Sequence, residues 1–253
     1  MKSIYIKALA LLALSSSNSY AQKLQEPELR LSATVNAAPR VALTFDACSG
    51  KTDERILQTL IDNKISATIF VTARWIKRNP QAIAEIKASA DLFEIENHGA
   101  KHIPVVDFPI KVFGLVAAGS PEAVRAEIDG GATAIENTFG IRPKWFRGAT
   151  GFYSVSAENI IANMDYKLAG YSLHGDGGAS FSTRRTASIF GTAKDGDIII
   201  AHINQPTKPA GAGVVEGILK LKSDGFVFVK LQDGFEQPSP QFNSCSRCAE
   251  SAH

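Results

Sequence analysis

The sequence predicts an α/β protein whose parallel sheet is closed, or nearly closed, into a barrel. Two observations support this fold class. Short β-rich runs alternate with segments that carry apolar residues at helical spacing, and titratable residues repeatedly follow the β-rich runs. Parallel α/β folds place their chemistry at the carboxyl ends of their strands. At 253 residues the chain is long enough for one such domain.

Seven runs rich in β-branched and aromatic residues are the predicted strands. They lie, in chain order, at residues 41–45, 67–72, 92–96, 145–146, 166–173, 197–203 and 226–231. Four segments of helical spacing lie between them, at residues 53–63, 80–90, 120–138 and 214–222. Asn79 before Pro80, and Ser120 before Pro121, are typical helix starts. Residues 103–119, rich in Pro, Val, Phe and Gly, break the alternation and predict a functional loop over the site.

The ends of the chain predict segments outside this domain. Lys2 and Lys7 precede a short apolar run, and small residues up to Ala21 suit signal peptidase. The run is too short to span a bilayer, so we expect an exported protein, periplasmic or secreted, with no stable membrane insertion of the mature chain. The expected organisation is a signal peptide at 1–21, a linker at 22–39, the catalytic domain at 40–235 and a tail at 236–253.

Charge and cysteine content limit the expected partners and the possible disulfide bonds. The net charge of +2 is too small to favour nucleic acid as a partner. Three cysteines are present, Cys48 beside Asp46 and the tail pair Cys245 and Cys248. An odd count in an exported chain leaves either a free thiol or a bond between molecules. A disulfide from Cys48 to one tail cysteine remains an alternative.

Four titratable residues at strand ends predict a shared site. His98 and His102 stand four residues apart after the strand at 92–96, and on a helical turn both imidazoles reach one metal ion. Asp46 follows the first strand, and His202 follows a later apolar run. Singly, each is more often a packing residue or a helix cap. Four of them after three separate strands favour a catalytic metal site.

Four short motifs, in a fixed order, carry a family resemblance. They are Thr44-Phe45-Asp46, Asn97-His98-Gly99-Ala100-Lys101-His102, Phe146-Arg147-Gly148-Ala149-Thr150-Gly151 and Ile200-Ala201-His202. In these motifs the chain resembles the polysaccharide deacetylases of the NodB homology type, carbohydrate esterase family four. The resemblance covers roughly residues 40–231 and implies a distorted (β/α) barrel with about seven strands. Each motif is unspecific alone, and the order of the four makes the resemblance strong.

The resemblance implies an exported, metal-dependent hydrolase that removes acetyl groups from N-acetylamino sugars in peptidoglycan, a chitin-like polymer or an exopolysaccharide. The substrate partner is then a polysaccharide or oligosaccharide, and the cofactor is a divalent metal, expected to be Zn²⁺. The implied roles are metal ligands for His98 and His102, catalytic base for Asp46, partner of that base for Arg147, general acid for His202, and substrate binding for Ile200, Gly148 and Tyr171.

The chain departs from the family pattern at two positions. Where the family carries a second, metal-binding aspartate, this chain has Ala47, so the third ligand is water, Asp46 or the Cys48 thiolate. Where the family carries the aspartate that orients the acid histidine, this chain has His174. Asp176 is either its replacement or a plain turn residue. A glycan-binding protein with weakened catalysis, and a hydrolase of another small amide, therefore remain alternatives.

Overall fold

The computed structural model describes residues 23–32, 37–235 and 241–244. Its strands are β1 Gln25–Glu28, β2 Arg40–Ala47, β3 Ala67–Val71, β4 Phe93–Asn97, β5 Lys111–Val112, β6 Leu115–Val116, β7 Trp145–Phe146, β8 Lys167–Leu168, β9 Leu173–His174, β10 Asp197–His202, β11 Val227–Phe228 and β12 Gln241–Ser244. Its helices are α1 Glu54–Asp62, α2 Ala73–Arg78, α3 Pro80–Ala88, α4 Pro121–Phe139, α5 Val155–Asn163, α6 Thr183–Phe190, α7 Ala210–Ser223 and α8 Leu231–Gly234.

A curled parallel sheet forms the centre of the protein. Seven strands follow one another in the order β8-β7-β4-β3-β2-β10-β9, and β11 adds to the start of β2. Helices cover the outer face, so the sheet is a half-closed barrel. This architecture confirms the predicted distorted barrel with about seven strands.

The two faces of β2 show how the sequence places the core and the site. Val41, Leu43, Phe45 and Ala47 belong to the apolar cluster between the sheet and the outer helices. The residues between them point to the opposite face, because successive side chains alternate across a strand. That face is the barrel interior, and it carries Asp46.

Most predicted elements are present, with shifted ends. Asp53 and Ser120 cap α1 and α4 through their side chains, whereas the predicted cap Asn79 makes no side-chain capping bond to α3. The predicted strand at 166–173 is split into β8 and β9, and the strand at 226–231 shrinks to β11 followed by α8. Helices α2, α5 and α6 have no counterpart in the sequence prediction.

The predicted linker and tail contain ordered structure. Strand β1, inside residues 22–39, pairs antiparallel with β12, inside residues 236–253. Leu24, Leu29 and Leu31 are buried against the barrel. The predicted signal peptide and the cysteines Cys245 and Cys248 lie outside the described residues. Within the described part of the chain, we find no helix with both the length and the apolarity to cross a bilayer.

Candidate metal centre and active site

Strand register brings the predicted residues to one edge of the barrel. His202 pairs with Asp46 across β10 and β2. Asn97 pairs with Phe146 across β4 and β7, so His98 and Arg147 follow directly after the paired residues. These are the carboxyl ends of parallel strands, the edge at which such folds carry out their chemistry.

Asp46 and Arg147 form a buried ion pair. Nη1 of Arg147 donates to Oδ1 of Asp46 at 3.0 Å, and the two side chains are 1% and 7% exposed. The guanidinium also donates to the carbonyls of Ala169 and Gly170, at 3.3 and 3.1 Å. These bonds direct the backbone between β8 and β9 toward the arginine, which explains why the predicted strand at 166–173 is broken there.

The charges around Asp46 keep it ionised. Burial alone raises the pKa of a carboxyl group. Here His98, Arg147 and His202 outweigh burial and hold the pKa of Asp46 below its usual value. A carboxylate that stays charged and is held by an arginine can accept a proton from a water molecule beside it.

His98 and His102 lie together, although the predicted helical turn between them is wrong. Their rings are 5.1 Å apart, in a loop where Gly99 and His102 have φ of 86° and 60°. Oε1 of Glu127 holds this loop by accepting from the backbone N–H groups of Lys101 and Ile103 at 2.8 and 3.1 Å. A contact from α4 therefore brings the imidazoles together.

Cys48 completes a group of three possible metal ligands. Among the described residues, Cys48, His98 and His102 each offer a ligand atom, and these atoms lie within 4.8 Å of one another. His98 donates from Nδ1 to the Arg147 carbonyl at 2.6 Å, which leaves its Nε2 lone pair for an ion. Two imidazoles and a thiol are a donor set that suits Zn²⁺. The residues present therefore fit the divalent ion that the resemblance implies.

The Cys48 thiol is free and set up to ionise. Burial opposes its ionisation, but hydrogen bonds with His102, His202 and His98 hold its pKa well below the usual value. Among the described residues Cys48 is a free cysteine, and its possible disulfide partners Cys245 and Cys248 lie outside them.

His202 contacts Asp176, for which the sequence left open an orienting role or a plain turn role. Oδ1 of Asp176 lies 3.0 Å from Nδ1 of His202, and Oδ2 accepts from the His202 backbone N–H at 2.7 Å. Burial lowers the pKa of His202, and the charge and hydrogen bonds of Asp176 reverse this and raise it well above its usual value. His174, at the position of the family's aspartate, makes a different contact, because its Nδ1 accepts from the Gly177 N–H at 3.2 Å. The contact to the His202 ring is made by Asp176 instead.

A cleft of about 390 Å³ opens beside these groups. Asp46, His102 and His202 line it, as do the predicted substrate-binding residues Ile200 and Tyr171. A ligand in this cleft would contact a carboxylate, the imidazole of His202 and a possible metal ligand together.

Gly148, a predicted substrate-binding residue, is not among the residues that line the cleft. This residue is buried, and its N–H is donated to the hydroxyl of Tyr153 at 2.7 Å. The amide is therefore bonded inside the protein in this structure, and substrate binding by Gly148 stays a prediction. A Cβ at this position would lie 3.0–3.1 Å from Val105 and Tyr153, so close packing accounts for the glycine.

Sequence reasoning missed Phe113, which lines the cleft from the tip of the hairpin formed by β5 and β6. This hairpin lies inside the predicted functional loop at 103–119. The available signal was an aromatic residue directly before Gly114, a turn residue. It does not by itself indicate which way the ring points.

The chain and its fold are similar to known deacetylases. A family model described as polysaccharide deacetylase matches residues 34–169. A bifunctional xylanase/deacetylase of Pseudobutyrivibrio xylanivorans is 30% identical over 200 residues, which are 78% of this chain and 30% of that protein. The uncharacterized protein YlxY of Bacillus subtilis (strain 168) is 24% identical over 194 residues, 74% of this chain and 54% of YlxY.

The chain thus spans about a third and about half of the length of these two relatives. A solved structure described as T48 deacetylase with substrate aligns with a TM-score of 0.64 and 24% identity, over 81% of this chain and 94% of that one. This likeness supports the barrel fold read from the strand order.

Proposed function

Because the chain belongs to the polysaccharide deacetylase family, we propose that it is a metal-dependent hydrolase that removes acetyl groups from N-acetylamino sugars of a polysaccharide. One observation carries this proposal: the Asp46–Arg147 pair and the His202–Asp176 pair lie at one cleft beside the two histidines. A protein that only binds glycans has no need of a buried ionised acid and a poised imidazole at the same opening.

His98 and His102 are the proposed ligands of a divalent ion, expected to be Zn²⁺. When bound, such an ion polarises a carbonyl and makes water a better nucleophile near neutral pH. The protein must still supply proton transfer, because an amide is a poor electrophile with a poor leaving group.

Asp46 is the proposed base. Its carboxylate lines the cleft, and its second oxygen is free of the arginine bond, 3.8 Å from Nε2 of His98. Arg147 keeps the carboxylate charged and oriented by a charge-assisted hydrogen bond. A water molecule between Asp46 and the bound acetyl group would lose its proton to this carboxylate as it attacks.

His202 is the proposed general acid. An amine anion is too basic to leave unprotonated, so the sugar nitrogen must receive a proton as the C–N bond breaks. Asp176 keeps His202 protonated and fixes its ring, which directs Nε2 away from Asp176. Base and acid then lie at the same cleft and act on one bound amide.

Ile200 and Tyr171 are the proposed substrate-binding residues. Ile200 offers an apolar side chain next to His202 for the acetyl methyl group. The Tyr171 hydroxyl is bound to Glu26 of β1, so its ring is fixed at the cleft wall. The proposed substrate is an extended sugar polymer such as peptidoglycan, a chitin-like chain or an exopolysaccharide.

We also propose that the protein is exported. Residues 1–21 have the pattern of a signal peptide, and this pattern supports export to the periplasm or the outside of the cell. A glycan of the envelope would be accessible there.

Acetate release from N-acetylglucosamine oligomers tests the activity. The purified protein is stripped with a chelator and assayed before and after addition of Zn²⁺ or Co²⁺. We expect release only with metal, and loss of release in Asp46→Asn but not in Asp62→Asn, an exposed position on α1. Acetate release that persists in the stripped protein or in Asp46→Asn would contradict the proposal.

A second candidate function is glycan binding without turnover, which the alanine at position 47 favours because it removes one carboxylate from the family's metal site. Measurable binding of the same oligomers, with no acetate released under any metal, is the result expected for it.

A further inference from the structure

We infer that Cys48 is the third protein ligand of the metal, so that the centre consists of one thiolate and two imidazoles. This inference rests on the proposed function, since it concerns the ion that His98 and His102 are proposed to hold. Cys48 would then replace the carboxylate that the family carries at the position of Ala47.

The geometry of β2 excludes residue 47 as a ligand and favours residue 48. Ala47 is fully buried and packs in the apolar cluster between the sheet and the helices. Asp46 points to the other face, into the site. Cys48 follows directly after β2, and its Sγ lies near Nε2 of His98, which is 3.8 Å from Oδ2 of Asp46, so Cys48 lies on the side of Asp46. The chain therefore presents its next donor at position 48.

The distances suit a tetrahedral ion. Sγ of Cys48 lies 3.6 Å from Nε2 of His98. With Zn–S and Zn–N bonds of usual length, a sulfur and a nitrogen on one tetrahedral ion are about 3.5 Å apart. The ligand atoms of Cys48, His98 and His102 all lie within 4.8 Å of one another, so a small closure brings them onto one ion.

The backbone of Cys48 is also held in place by a hydrogen bond. The Thr72 hydroxyl donates to the Cys48 carbonyl, and this threonine caps α2. The Cys48 residue is 7% exposed, in contact with the histidines. A preorganised ligand loses little conformational entropy when the ion binds.

Asp46 is the competing third ligand, and two observations favour its role as base. One of its oxygens is already bonded to Arg147. Among the described residues, Asp46 is also not part of the group of possible ligands, Cys48, His98 and His102, whose ligand atoms lie within 4.8 Å of one another. The carboxylate thus stays beside the ion and remains able to accept a proton.

A thiolate ligand changes which ions the site prefers. Sulfur donors favour Zn²⁺ and other borderline or soft ions, whereas sites built from oxygen donors suit Mg²⁺ and Mn²⁺. We therefore expect Zn²⁺ and Co²⁺ to bind, and Mg²⁺ and Mn²⁺ to compete poorly with them.

Cobalt spectroscopy tests the ligand directly. All proteins carry Cys245→Ser and Cys248→Ser, so that Cys48 is the one cysteine left. Titration with Co²⁺ is expected to give a sulfur-to-cobalt charge-transfer band in the near ultraviolet together with visible bands of a tetrahedral ion. In Cys48→Ser the charge-transfer band should vanish and the Kd should rise at least about tenfold. Circular dichroism of each variant reports whether it is folded.

Zinc X-ray absorption gives an answer that needs no change at Cys48. The tail double variant loaded with Zn²⁺ should show one sulfur neighbour at about 2.3 Å. A shell of nitrogen and oxygen only, or visible cobalt bands without the charge-transfer band, would overturn the assignment of Cys48 and leave the proposed metal dependence intact. Failure of the protein to bind either ion would instead overturn the metal site itself, and with it the proposed function.

Discussion

Asp176 holds His202 at two points, through the imidazole Nδ1 at 3.0 Å and the backbone N–H at 2.7 Å. One carboxylate therefore fixes both the position of the strand end and the orientation of the ring. With Nδ1 bonded to the carboxylate, Nε2 is the nitrogen that can meet a ligand. We propose that Asp176 supplies the orienting function that the family assigns to the position of His174, two places earlier in the chain.

Asp176→Asn is expected to reduce kcat about 10–100-fold. The charge of Asp176 raises the pKa of His202, and burial lowers it, so the substitution lets burial dominate and the pKa falls. A general acid works only while protonated. The alkaline limb of the kcat profile should therefore move to lower pH, as measured by acetate release across a pH series.

His202→Ala provides the comparison for this variant. Removing the acid itself should cost more, about 10²–10⁴-fold in kcat, and should abolish the alkaline limb that His202 produces. An alkaline limb at the same pH in Asp176→Asn and wild type would show that Asp176 does not control the acid.

Ala47→Asp tests the placement of residue 47. Its methyl group is fully buried in the apolar cluster outside the sheet, so an aspartate there is a buried charge without a partner. We expect the free energy of unfolding to fall by about 3–5 kcal/mol in urea denaturation. We also expect no gain in Co²⁺ affinity, since the new carboxylate points away from His98 and His102.

Ala84→Asp, at an exposed position of α3, is the matched control and should change stability little. Tighter cobalt binding by Ala47→Asp, with stability unchanged, would show that the family's usual ligand position is still open in this chain.

Local pattern was sufficient to predict the strands that carry the site. β2 and β10 are mostly apolar runs typical of buried parallel strands, whereas β4 alternates apolar and acidic residues. Asp46 and His202 lie at the ends of β2 and β10, and His98 follows β4. The family motifs then gave these residues distinct roles. Position along a strand is a local property, and sequence reports it well.

Long-range contacts decided what the sequence could not show. The loop from His98 to His102 takes its shape from Glu127, which is about 25 positions away in the chain. The strand predicted at 166–173 is interrupted because Arg147 binds two of its carbonyls. The inference that Cys48, and not Asp46, is the third ligand likewise depends on long-range contacts: the bond of Asp46 to Arg147 and the distances of Cys48 from His98 and His102.

Phe113→Ala tests the hairpin as part of the substrate site. The ring is 65% exposed, lines the cleft and lies 5.4 Å from the ring of Phe152. An exposed aromatic face at the mouth of a glycan site can pack against the apolar face of a sugar ring. We expect KM for N-acetylglucosamine oligomers to rise about tenfold, which corresponds to about 1.4 kcal/mol, with little change in kcat.

Val116→Ala is the control on the same hairpin. Val116 has a similar exposure of 68% but is not among the residues that line the cleft. Equal effects of the two variants on KM would mean that the hairpin acts through its fold and that the Phe113 ring makes no contact of its own with the sugar.

Glu94 and Glu96 form a buried acidic pair inside the barrel, on the face of β4 opposite the apolar cluster that holds Phe93 and Ile95. Oε2 of Glu96 accepts from the backbone N–H groups of Lys144 and Trp145, at 2.8 and 2.7 Å. Burial, together with the charge of Glu94, raises the pKa of Glu96 from 4.5 to about 8. The folded protein therefore holds a proton here that the unfolded chain releases at neutral pH.

This proton makes stability depend on pH. A carboxyl group whose pKa is raised on folding makes its full contribution to the free energy of unfolding below pH 4.5. This contribution is lost as pH rises toward 8. Glu96→Gln keeps the shape of the protonated acid and removes the titration. Between about pH 5.5 and about pH 8.5, wild type should lose on the order of 1–3 kcal/mol of unfolding free energy relative to this variant in urea denaturation.

The exposed control Glu216→Gln should follow wild type across the range. Parallel curves for Glu96→Gln and wild type would show that Glu96 is ionised in the folded protein throughout.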